Sequence, residues 1–230
     1  MKIDSIHDFI NYIKKDILPA TNELKKIRNE TSRKHLQKLA YTNIVNRFDT
    51  MIDNTLLDNC RSQYLVDKAT ANLNSPVMES DLIKLLLKGK DIDDALDSKI
   101  IDSLRISVLR DRHSRKLQQL FELFGQGDKV WKTPRVNIST GRIFEKMTPL
   151  NNKVPYSICG YSDWLYSRRN ALVHGAGVMS FHDNDLKQLL KLFNCIPAKK
   201  FRIKIATIKN AAVFYENVSE LLIELAAKQI

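Results

Sequence analysis

Apolar residues recur at three- and four-residue steps along most of this chain, while strict alternation is brief, so helices are expected nearly throughout. Ile3, Ile6, Phe9, Ile10, Ile13 and Ile17 form the first such stripe and predict an amphipathic helix over 3–17, closed by Pro19. A second helix, long and highly charged, is expected from near Thr21, with Lys25, Lys26, Arg28, Arg33, Lys34 and Lys38 making a basic face. Leu39, Ile44, Phe48, Met51, Ile52 and Leu56 predict a third over 39–57. It buries a broad stripe and carries Arg47, Asp49 and Asp53 on its polar side.

Residues 72–76 break the pattern and read as a connection. A short helix over 80–88, ended by Gly89, and another around 92–96 are expected next. A longer one over 98–124 follows, with Leu104, Val108, Leu117, Leu120 and Phe121 inward and Gly125 and Gly127 as its stop. Residues 128–157 are the least helical part. The stretches 135–139 and 142–144 fit a loop or a small hairpin equally. A helix ending near 174, a connection through Gly175 and Gly177, a helix over 183–193, Pro197 and a terminal helix over about 207–228 complete the pattern, with alternation at 201–205 that suits a brief strand.

Composition agrees with an all-α chain. Seven Gly and six Pro in 230 residues are too few for a sandwich or barrel rich in tight turns, and 43% hydrophobic residues suffice for one sizeable core. Cys60, Cys159 and Cys195 are widely spaced and show no metal-ligand or disulfide pattern, so buried reduced thiols are expected. No window approaches a membrane span and the N-terminal stripe is interrupted by Asp4, His7 and Asp8, which predicts a soluble cytoplasmic protein with no membrane partner. The net charge of +11 suits a partner made of phosphates.

Chemistry concentrates at 161–175. There, Arg169-Asn170-Ala171-Leu172-Val173-His174 delivers an arginine and a histidine together at a helix end. Metal-free RNA cleavage needs a proton removed from a 2′-hydroxyl, charge stabilised on the phosphorus centre, and a proton given to the departing 5′-oxygen. A histidine serves either proton transfer, and the fixed donor fork of arginine suits the phosphate oxygens. One copy supplies one such histidine for two transfers, so a site assembled from two chains is chemically attractive. Near a helix C-terminus the macrodipole favours the protonated His174 by about 0.3–1 kcal/mol. On an ideal helix positions 169 and 174 lie roughly 140° apart, so they converge only where the helix end turns or a partner completes the site.

The segment Arg169–His174 matches the R-polar-x-x-x-H signature, and the chain resembles the HEPN superfamily, many of whose members are metal-independent endoribonucleases. The resemblance covers the first 60 to 75 residues and roughly 158–230. It implies an antiparallel helical bundle, with residues 76–157 as a mostly helical central elaboration within one structural domain. It further implies a homodimer with paired motifs, RNA as substrate, catalytic Arg169 and His174, and no cofactor. A toxin or abortive-infection role, with an antitoxin or regulatory protein as partner, fits the same picture. Asn170 would orient the histidine or contact phosphate, and Arg168 competes with Arg169 as the motif arginine. Asp49, one turn before Asp53, would hold the motif arginine from behind. Arg110, Arg112 and Arg115, with Arg105 and His113, form a basic cluster suited to an RNA backbone, and Trp131 and Trp164 are candidate base-stacking or core residues. The alternative is a HEPN-like dimer that binds RNA, nucleotide or a protein partner without cleaving. A purely structural helical protein also remains open.

Overall fold

A computed structural model describes residues 1–71, 83, 92–125, 136–145, 152–174, 183–198 and 200–228. Among them the chain is all-helical, with no strand. Its centre is α3 (Glu30–Asp58), whose 29 residues make it roughly 43 Å long. Asn29 starts it: the backbone there is extended and the side chain accepts a hydrogen bond from the Ser32 N–H at 2.9 Å. The two helices expected over 21–57 are therefore divided at residues 25–29 and continuous through Leu39. Lys25, Lys26 and Arg28 precede the cap, while Arg33, Lys34 and Lys38 ride on α3.

Before it come α1 (Asp4–Tyr12), a π turn (Ile13–Ile17) and α2 (Leu18–Leu24). Pro19 does not close the first helix. It falls in the first turn of α2, where its missing N–H costs little, and the widened turn before it lets Leu18 bond back to the Ile13 carbonyl. After α3, α4 (Gln63–Thr70) pairs with α5 (Ile92–Ser107), and Arg61 is held by Asp97 at 2.7 Å. The long helix expected over 98–124 is two helices, α5 and α6 (His113–Leu123), and the short one at 92–96 is the start of α5. The break has a local cause. The N–H groups of Val108 and Leu109 converge on the Leu104 carbonyl, and Arg112 then turns extended, with ψ 145. Gly125, at φ 76, closes α6 as expected.

The remaining helices are α7 (Ile158–His174), α8 (Asp183–Phe193) and α9 (Ile205–Ala227). Residues 201–204 form no strand: Ile203 is buried there, but no neighbouring strand pairs with them. Of the loop-or-hairpin segment, 136–145 is a tight turn closed by a single antiparallel bridge between Val136 and Ile143. Gly141 makes it possible, since its φ is +81 and a Cβ would lie 2.0 Å from the Asn210 carbonyl of α9. The expected connection at 72–76, the 80–88 helix apart from the helical Ile83, Trp131, Gly127, Gly175 and Gly177 lie outside the described residues.

One core joins these elements. Ile44, Phe48 and Ile52 of α3, Leu117, Leu120 and Phe121 of α6, Leu165 of α7 and Ile208, Tyr215 and Leu222 of α9 are all enclosed in it. Thus α6, although it comes from the central part of the chain, is integral to the bundle. The three cysteines are buried and reduced. No helix among the described residues is long and apolar enough to cross a membrane.

Candidate active site

Three helices turn polar faces toward one another. From α3 come Asn46, Asp49 and Asp53, from α6 His113 and Lys116, and from α7 Ser162, Asp163, Tyr166, Arg169 and Asn170. Their spacings of three, four and seven keep each set on one side of its helix.

At the inner end, His113 is fully enclosed. Its Nδ1 lies 2.8 Å from Asp49 Oδ1 and its Nε2 2.8 Å from Ser162 Oγ, and its ring stacks on Tyr166 with centroids 4.6 Å apart and planes 4° apart. A carboxylate only accepts, so Nδ1 carries a proton. In the neutral ring Nε2 then accepts from the Ser162 hydroxyl. The order serine, histidine, aspartate is that of a nucleophile relay, but Ser162 has 0% of its surface exposed and no substrate reaches it. Lys116, itself buried, spans Asp49 at 2.8 Å and Asp53 at 2.7 Å. Burial alone would raise the Asp49 carboxyl, but the bonds and charges of His113 and Lys116 outweigh it and hold the group well below the usual carboxylate range. For Asp53 burial wins over Lys116, and its carboxyl is raised. Burial works against the Lys116 ammonium too, yet the two carboxylates raise it.

Arg112 closes the seam by bonding Asp163 at 3.0 Å and Asp185 at 3.4 Å. Burial raises the Asp163 carboxyl against the pull of that guanidinium. These residues line a cleft of about 330 Å³ in which most charges are already matched. Arg112 is thus tied into the fold rather than offered to an RNA backbone. Arg110 is exposed at the cleft and Arg115 is exposed on α6.

Arg169 sits differently. It is half-buried, its Nε donates to Asn46 Oδ1 at 2.5 Å, and its Nη1 donates to Asn170 Oδ1 at 2.9 Å. The guanidinium lies 5.7 Å from the Tyr166 ring, whose stacking on His113 connects it to the seam. Both of its hydrogen-bonding partners are neutral amides, and among the described residues no carboxylate pairs with it. The early-helix residue that holds it is therefore Asn46, one turn before Asp49. Asp49 faces His113 and Lys116 instead.

His174 is exposed as the last residue of α7, five positions beyond Arg169 and about 7.5 Å further along an ideal helix axis. The earlier turns of α7 pack against α3, α6 and α8, and among its described residues Val173 and His174 of the final turn are the exposed ones. Arg168 points the other way, into an aromatic cage. Its guanidinium is 4.5 Å from the rings of both Trp164 and Phe201 and 5.9 Å from Tyr41, and Nη2 reaches the Arg202 carbonyl at 3.5 Å. Burial lowers its affinity for a proton, and its Nε has no hydrogen-bond partner. Trp164 is half-buried in that cage.

Asn46, Lys116, Ser162, Asp163 and Tyr166 were not singled out as site residues from sequence, and His113, expected in a basic cluster facing an RNA backbone, is enclosed in the seam instead. A signal existed in the spacing of polar residues inside otherwise apolar helices: Asn46, Asp49 and Asp53 interrupt the buried stripe of α3 on one side only. Among the described residues no three His, Cys, Asp or Glu side chains are arranged to hold a metal ion. Comparison with protein-family models, curated proteins and solved structures gives no match to this chain.

Proposed function

We propose that the chain is a metal-independent endoribonuclease of HEPN type, in which two copies join Arg169 and His174 in one site. The observation that carries this reading is the neutral anchoring of Arg169: two amide oxygens orient the guanidinium, and among the described residues no carboxylate pairs with it. A half-buried cation of that kind is suited to a phosphodiester, because a neutral anchor orients the donor fork without cancelling its field. His174 stands at the exposed end of the same helix.

In the reaction, one His174 takes the 2′-hydroxyl proton as the oxygen attacks phosphorus. The bond to the 5′-oxygen breaks, and the other His174 protonates that leaving oxygen. Arg169 binds the non-bridging oxygens as charge builds on them. The products are a 2′,3′-cyclic phosphate and a 5′-hydroxyl. Cleavage of single-stranded RNA by the purified chain should survive EDTA and leave those ends. Products carrying 5′-phosphates, or strict dependence on Mg²⁺, would defeat the reading.

A second reading, a dimer that binds RNA or nucleotide without cleaving, is favoured by the placement of His174 along α7 beyond Arg169, which leaves a single copy without a converged pair. Binding of single-stranded RNA by the purified chain with no turnover would select it.

A further inference from the structure

A second concavity lies against the motif helix, and its charge balance is opposite in kind to that of the polar seam. It has a volume of about 460 Å³, within the range of small-ligand sites. One wall is the first two turns of α3, with Glu30, Arg33, Lys34, Gln37 and Lys38 at helical spacing. The other is the connection leading into α9, with Arg202 and Lys204. Leu172, Phe201 and Ile203 supply apolar lining. Five basic side chains thus face one carboxylate, and that carboxylate is already taken by Lys34. Lys38, Arg202 and Lys204 are exposed and form no ion pair among the described residues. The cleft at His113, by contrast, is lined by five aspartates, four of which pair with its Arg112 and Lys116.

We propose that this groove seats a segment of single-stranded RNA, with phosphates on Arg33, Lys38, Arg202 and Lys204 and a base or ribose against Leu172 and Phe201. The identification of the strand as RNA rests on the function proposed above, and the groove deepens that reading by giving the path of the strand. Leu172 belongs to the last turn of α7, on the side that carries Arg168, so a strand lying in the groove abuts that turn and crosses it to reach Arg169 and His174. The apolar lining selects a single strand. A duplex keeps its bases stacked inside and presents mainly phosphate and ribose, whereas unpaired bases are free to rest on apolar and aromatic side chains. The uncompensated cations supply the counterion-release contribution that dominates such binding.

Arg168 acquires a role from the same geometry. Its cation lies over Phe201, and its Nη2 bonds the Arg202 carbonyl, so it is a positioning residue for the groove lining rather than a phosphate ligand.

The test measures binding of a fluorescein-labelled, fully 2′-O-methylated single-stranded oligonucleotide, which lacks the attacking hydroxyl, by fluorescence anisotropy across a salt series. The double variant Lys38→Glu/Lys204→Glu is compared with Lys15→Glu/Lys99→Glu, a charge-matched pair of exposed lysines away from the groove. All proteins are first checked for native helical content. The expected result is at least a tenfold loss of affinity for the groove variant, with the slope of log affinity against log salt reduced by about 1.4, as two lost phosphate contacts on a single strand require. The control pair should bind within about threefold of the parent. Equal losses in both pairs, no loss in either, or tighter groove-dependent binding of duplex RNA or an acidic peptide would overturn the proposal. Cleavage of unmodified RNA is measured alongside. Groove-dependent binding without cleavage leaves the groove intact and removes the nuclease reading, while cleavage and binding indifferent to the groove substitutions do the reverse.

Discussion

The inner polar seam and the outer end of α7 are built from the same residue types and treat charge in opposite ways. In the seam, Lys116 is shared by Asp49 and Asp53, Arg112 by Asp163 and Asp185, and His113 is enclosed between Asp49 and Ser162. At the outer end, Arg169 is held by amides, and the adjoining groove presents exposed lysines and arginines around a single carboxylate already paired. Buried charges must be matched to be tolerated, and once matched they have little left to offer a ligand. Uncompensated charge held in place by neutral groups is costly to the fold and available to a phosphate. The contrast therefore separates charges that organise the bundle from charges that serve a partner.

The largest expected effect lies in the seam. Asp49→Ala removes a carboxylate from His113 and Lys116 together and should cost about 3–5 kcal/mol of unfolding free energy, as breaking a buried ion pair does. Denaturant titration measures it, and a loss below about 1 kcal/mol would remove the structural side of the comparison.

At the outer end the order is reversed. His174→Ala should lower RNA cleavage by ~10²-fold or more while affinity for the 2′-O-methylated oligonucleotide stays nearly unchanged, since the histidine acts on protons that move only in the transition state. Single-turnover kinetics with a binding isotherm decide it. An equal loss of both quantities would make His174 a binding residue instead.

Acid should act on the seam in two stages. The folded-state pKa values of Asp53 and Asp163 are raised, so their protonation favours the native state as pH falls through those raised values. Asp49 is depressed, so its contribution is complete above the unfolded value of about 3.9 and is lost as pH falls below that through the folded value. Stability against urea from pH 7 to pH 2 should accordingly hold or rise slightly and then fall below about pH 4. In Asp49→Asn that late fall should be flattened; an unchanged acid limb would show that other carboxylates dominate.

A smaller effect is expected from Asn46→Ala. The hydrogen bond from the Arg169 guanidinium to the Asn46 amide is charge-assisted and, at a half-exposed site, is worth about 1.5 kcal/mol, which corresponds to a drop of about tenfold in kcat/KM for RNA with little change in global stability. A large stability loss would place Asn46 with the seam instead.

Much of the bundle is legible in the residues themselves. The apolar period over 183–193 marks α8, and Ile44, Phe48, Met51, Ile52 and Leu56 are buried on α3 as their spacing requires, although Leu39 at the start of that stripe is exposed. Breaks are less legible, because they depend on hydrogen-bond choices the period does not encode. Pro19 is carried by a π turn, and the chain bends at 108–112 where two N–H groups share the Leu104 carbonyl. Side-chain partnership is the least legible. Asn46 and Asp49 lie one turn apart on the same side of α3, and which of them meets Arg169 depends on how α7 and α6 seat against that helix. Arg168 and Arg169 are neighbours in sequence, yet one is enclosed by aromatic rings and the other meets α3.

The most direct test of the distinction between compensated and uncompensated charge is the rate of RNA cleavage in EDTA for the parent chain, Arg169→Ala and Arg169→Gln, each verified as folded. The expected result is retained stability with cleavage and affinity for the 2′-O-methylated strand both falling by tenfold or more in each variant, because a charge on phosphate is lost while the amide anchors remain. Cleavage at the parental rate in both variants would contradict it.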